Sequence, residues 1–219
     1  MSNTYPEESL PPDDDLTEDE PSPRNIDPAL AYIILLIVVL IGLRGMAIDV
    51  RYTLIWTASA LVAILALLVD HIEIARPRAT DPIIGVIVGA IVGLPLLIIG
   101  ASALSTLSSD LFAKTSDTAI FQMLAFTMPL AETLFFRGAL QASRGTIVTG
   151  IAASVWAIAL FFPQINIQTY PFVAVIIGLF FVFVNFLYSY MRGRFGIMSA
   201  WACQITINLL LLFVVRFVS

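Results

Sequence analysis

One histidine, His71, and one cysteine, Cys203, stand in a chain of 219 residues. A single cysteine excludes an intramolecular disulfide and a thiolate metal cluster. Charge is scarce as well: 12% of the residues are Asp, Glu, Lys or Arg, about half of what a soluble domain carries. No basic stripe interleaved with aromatics is present, so no nucleic-acid partner is expected. Short segments of alternating hydrophobicity, the mark of a membrane-spanning barrel, are missing too. Nothing in the motifs calls for a cofactor or a metal ion.

Hydrophobic residues make up 59% of the chain, and they fall in long blocks. Several blocks approach the roughly 20 residues that a helix needs to cross a bilayer. Backbone polar groups in hydrocarbon must be satisfied internally, which leaves helices as the spanning element. The expected fold is therefore all-α, a polytopic membrane helical bundle of about seven transmembrane helices. The segments lie near 29–43, 52–69, 83–104, 119–142, 147–162, 170–190 and 197–217. Two polar connections separate them, 70–82 and 105–118.

The net charge of −5 is unevenly placed. Residues 1–28 hold nine acidic residues and one basic, Arg24, which leaves seven acidic against ten basic in the rest. This first stretch is rich in Pro, Asp, Glu and Ser. It has too little apolar surface to offset the entropy of ordering, so it reads as a disordered acidic tail. Residues 29–219 then form the transmembrane domain. Lys and Arg in short loops set orientation. With the N-terminus inside, the inner face collects Arg24, Arg76, Arg78, Arg144, Arg192 and Arg194, and the outer face Arg44, Arg51, Lys114 and Arg216. Six against four points to a cytoplasmic N-terminus in a plasma (inner) membrane. Gly85, Gly89 and Gly93 recur at a spacing that lets another helix approach closely. Intramolecular packing is preferred to dimerisation, and Pro95 is a candidate kink.

Ionisable groups inside a bilayer are costly and mark functional sites. Away from helix ends there are two, Glu132 and Arg137, both within the 119–142 segment. On an α-helix they stand about 140° apart, so they do not face each other, and Arg137 can snorkel to the inner interface. Gln204 and Asn208 share a face of the last helix. Asn185 reads as an interhelical hydrogen-bonding residue.

The segment ETLFFRG at 132–138 resembles the first motif of the CAAX protease and bacteriocin-processing family, also called CPBP or Abi. That motif is usually Glu-Glu-x-x-Phe-Arg-Gly. The family's second motif, Phe-x-x-x-His, lies on the next helix. SVWAIALFFP at 154–163 resembles it, with Trp156 at the Phe position. A third, His-x-x-x-Asn, lies two helices later, and SAWACQITINLLL at 199–211 resembles it. The likeness covers about residues 83–217. It implies an intramembrane endopeptidase fold, and as partners a lipid bilayer and a membrane-embedded or prenylated peptide, or a partner helix. It implies also that the first Glu and the second-motif His activate a water, while the third-motif His and Asn stabilise the oxyanion.

Three positions depart from that pattern. Thr133 replaces the second Glu, Leu160 the second-motif His and Gln204 the third-motif His; Glu132, Arg137 and Asn208 remain. Leu160 has neither lone pair nor proton with which to orient water. Losing a general acid–base partner costs roughly 10²–10⁴-fold in rate. Gln204 and Asn208 can still donate N–H groups toward an oxyanion. Thr133 also removes an ion-pair partner for Arg137. His71 lies far from these motifs in sequence and reads as an ordinary interfacial histidine. The leading expectation is a catalytically degenerate family member that binds or scaffolds. The others are a weakly active peptidase using Glu132, and a small transporter subunit with Glu132 as a proton or cation site.

Overall fold

The computed structural model describes residues 27–42, 45–46, 48–69, 78–113, 115–164 and 171–218. Most of the acidic tail, and His71, lie outside the described residues.

The described chain is helical. Helix α1 spans Pro28–Gly42, α2 Ile48–Val69, α3 Thr80–Leu111, α4 Asp117–Phe161, α5 Pro171–Phe195 and α6 Ile197–Val218. Five of them, α2 to α6, are long and apolar enough to cross a membrane; α1 is shorter. The result is an all-α, multi-spanning membrane protein.

Local chemistry sets the ends. Asp27 caps α1 by accepting from the Ala29 N–H at 2.9 Å, and Pro28 occupies the first turn, where its missing N–H costs nothing. Ser116 caps α4 by accepting from the Ala119 N–H. Gly196, with φ at +90°, separates α5 from α6, a turn that residues with a side chain rarely adopt.

Helix α4 is a run of 45 residues broken at Gly145, where φ is +77° and ψ 177°. The break folds the helix back on itself. The rings of Phe136 and Trp156 lie 5.9 Å apart. In a straight helix, residues twenty apart are separated by about 30 Å. The arms are 117–144 and 146–161. The two separate apolar segments expected from the sequence are thus one hairpin with a single left-handed residue at its tip.

The polar connection expected at 105–118 is partly helical, because α3 continues to Leu111. Two of its hydroxyls find carbonyl acceptors: Thr106 bonds back to the Ser102 carbonyl of its own helix, and Ser108 donates to the Leu212 carbonyl of α6 at 2.6 Å. Pro95 lies inside α3 without ending it.

The apolar residues gather into two clusters. One is built mainly from α1, α2 and both arms of α4, around Trp56, Phe135, Phe136, Trp156 and Leu160. The other comes mainly from α3, α5 and α6, around Leu97, Tyr188, Met191, Cys203 and Ile207. The glycine stripe of α3 makes the second possible. A Cβ at Gly85 would lie 2.3 Å from the Ser199 carbonyl oxygen, and one at Gly89 would lie 2.7 Å from Thr206 Cβ. The stripe is an intramolecular contact between α3 and α6.

Candidate functional site

Between the two clusters runs a layer of buried polar side chains. Glu132, from the first arm of α4, is only 5% exposed. Gln204, from α6, donates its Nε2 N–H to Glu132 Oε2 at 2.7 Å. Trp56 of α2 donates to Oε1 at 3.4 Å, a longer and weaker bond. Thr133 Oγ1 donates in turn to Gln204 Oε1 at 3.3 Å. The glutamine amide is thereby held from both ends. One of its two N–H groups is directed onto the carboxyl group.

Arg137 is fully buried, so it does not snorkel as its place on an ideal α-helix allows. Its NH2 nitrogen donates to Asn185 Oδ1 of α5 at 2.7 Å. The guanidinium sits 5.6 Å from the ring centroid of Phe136 and 5.3 Å from that of Tyr188, within cation–π range. Asn185 bonds onward through Nδ2 to the Phe181 carbonyl. The acceptor for the guanidinium comes from α5 rather than from a neighbouring residue of α4.

The backbone explains why Arg137 turns inward. Residues Thr133–Leu140 form a π-helical stretch. Its hydrogen bonds reach five residues along the chain rather than four. Residues five apart then come nearly one above the other, not about 140° apart as on an α-helix. Glu132 and Arg137 are thereby brought toward the same side of the helix, yet they do not form an ion pair: Glu132 is held by Gln204 and Trp56, and Arg137 by Asn185. The ion pairs among the described residues are peripheral, Arg144 with Asp27 and Arg216 with Asp117.

The other expected positions are more apolar in setting. Leu160 is fully buried in the cluster that holds Trp156 and Phe136. Asn208 is buried, and its Nδ2 meets Met128 Sδ at 3.7 Å, a weak acceptor. Among the described residues no group of three or more His, Cys, Asp or Glu is arranged to hold a metal ion.

The structure thus brings Glu132, Thr133 and Gln204 together and places Arg137 on Asn185 of α5. One contributor, Trp56, is not legible in the sequence, and Asn185 is legible only in part. Trp56 lies inside an apolar run, where its N–H needs an acceptor, but nothing in the run names Glu132 as that acceptor. Asn185 was legible as a hydrogen-bonding residue, though not as the partner of a buried cation.

No family model, curated protein or solved structure matches the chain.

Proposed function

We propose that the protein is a degenerate relative of the CAAX protease and bacteriocin-processing family, a pseudoprotease that binds or scaffolds a membrane-embedded peptide or partner helix. The observation that carries this reading is the 2.7 Å hydrogen bond from Gln204 to Glu132. It joins the segment that resembles the first motif to the one that resembles the third. The chemistry around it favours holding over hydrolysis. Glu132 accepts from Gln204 and Trp56, and Leu160 offers nothing with which to orient a water. A carboxyl group so bound is a fixed structural acceptor.

The reading takes the hairpin arms of α4 as separate crossings and α1 as a further one, making seven. It sets the N-terminus on the cytoplasmic side of a plasma membrane. Arg78, Arg144, Arg192 and Arg194 support a common face. Gly193 lies beside Gln141 and Thr146, and Gly196 beside Asp81, which accepts from the Arg78 N–H. A reporter fused at Ser219 is expected to read as non-cytoplasmic; a cytoplasmic signal would mean an inverted protein or an even number of crossings.

Activity is the sharper test. The purified protein in lipid nanodiscs is expected to cleave prenylated and unmodified peptides no faster than background. Glu132→Gln should behave identically. Thr133→Glu, Leu160→His and Gln204→His made together should raise cleavage above background, and each alone should not, because residues that act as a unit are strongly non-additive. Cleavage by the unmodified protein that Glu132→Gln abolishes would overturn the pseudoprotease reading and make Glu132 a working base.

A further inference from the structure

The arginine is only partly satisfied by Asn185. Its Nε and NH1 nitrogens are buried and have no hydrogen-bond partner among the described residues. Two more such atoms lie one helical turn away, Gln141 Oε1 and Ser189 Oγ. The four residues form two rungs between α4 and α5. Arg137 bonds to Asn185 at 2.7 Å, and Gln141 Nε2 donates to the Ser189 carbonyl at 2.9 Å. The second rung leads outward, since Gln141 Nε2 also bonds to Thr146 Oγ1 at 3.1 Å and Thr146 is exposed. Polar groups therefore occupy successive turns of the α4–α5 contact, from the exposed Thr146 through Gln141 and Ser189 to Arg137 and Asn185.

We propose that this seam between α4 and α5 binds water and admits it from the Thr146 face to Arg137. The donor and acceptor pattern selects the occupant. Arg137 presents only N–H donors, Gln141 Oε1 only accepts, and the Ser189 hydroxyl does both. A molecule that bridges them has to accept from one and donate to another. Water does so; an anion accepts from Arg137 but has nothing to give Gln141. Buried waters make about three hydrogen bonds to otherwise unpaired polar groups, which this seam offers. The inference stands on the contacts of Arg137, Gln141 and Ser189 alone. It holds whether or not the protein has a peptidase ancestry.

The test is water exchange at the Arg137 Nε–H, measured by magnetic resonance on full-length protein with ¹⁵N-labelled arginine in lipid nanodiscs. Arg137→Lys identifies the signal by removing it. The signal should show a cross-peak to water and exchange readily. Ser189→Val and Gln141→Leu should each slow the exchange by about tenfold, because each removes a polar group that holds the seam's water. Thr106→Val, on α3 and away from the seam, should leave it unchanged. Where Gln141→Leu does not fold, Ser189→Ala tests the same site with a smaller change. A signal with no water cross-peak, or one indifferent to both seam variants, would overturn the proposal. So would a shift of the Arg137 signal on titration with chloride, which would make the occupant an anion.

Discussion

Replacing Asn185 with leucine is expected to destabilise the protein by about 3 kcal/mol, the upper range for stranding a hydrogen-bonding partner in a buried site and more in keeping with a charged one. Asn185 Oδ1 is the hydrogen-bond acceptor that the guanidinium of Arg137 has among the described residues, at 2.7 Å. Leucine is close in size, so the loss is of the acceptor rather than of packing. The measurement is the unfolding midpoint in mixed micelles of denaturing detergent. Adding Arg137→Met to Asn185→Leu should recover most of the loss, since a buried polar pair replaced by apolar groups of similar shape is close to neutral. If Asn185→Leu unfolds at the same detergent fraction as the unmodified protein, the guanidinium does not depend on α5. The polar contact between α4 and α5 would then rest on Gln141 and the Ser189 carbonyl.

A second large loss is expected at the crossing of α3 and α6. Gly85→Ala places a methyl group 2.3 Å from the Ser199 carbonyl oxygen, 2.9 Å from Ala202 Cβ and 3.0 Å from the Cys203 nitrogen. Two of those three atoms are backbone, so no side chain can rotate away and α3 has to move off α6. Overpacking of this kind costs about 1–3 kcal/mol, and more where the backbone resists. Gly100→Ala, on the same helix, is the control. Its new Cβ meets only the Leu104 side chain, at 3.4 Å, and it gains helix propensity of up to about 1 kcal/mol. The unfolding midpoint should fall for Gly85→Ala and hold or rise for Gly100→Ala. Gly85→Ala should also loosen Gln204, which follows Cys203 on α6 and carries the bond to Glu132. Equal midpoints for the two variants would mean that α3 and α6 do not touch at Gly85.

The seam proposed at Arg137 and the scaffold reading make separate demands. Water in the seam requires only that Gln141 and Ser189 remain polar. The scaffold reading requires that Glu132 stay bound and idle. A protein that is hydrated at Arg137 and still inert toward peptides satisfies both.

Much of this architecture was legible in the order of residues. Apolar blocks of spanning length can satisfy their backbone in a bilayer only as helices, and the helices observed lie within a few residues of those blocks. The exception, α3, overruns its apolar block to Leu111, because serine and threonine can bond to carbonyls of their own helix or of α6. The glycine stripe announced a close helix contact, since residues without a side chain at four-residue spacing have little other use in a membrane helix. Glu132 and Arg137 stood out because charge inside an apolar run is rare.

What the sequence by itself determined was which residues are helical, which are apolar and which few carry charge or an amide, because those depend on composition and on neighbours three or four positions away. Only the tertiary structure decided what each polar group faces. The π-helical stretch at Thr133–Leu140 turned Arg137 inward to Asn185, the left-handed Gly145 folded α4 into a hairpin, and Trp56 arrived at Glu132 from 76 positions earlier in the chain. The physical reason is that a buried polar side chain needs a partner but does not specify one. The partner is whichever group the packing of the apolar faces brings within about 3 Å.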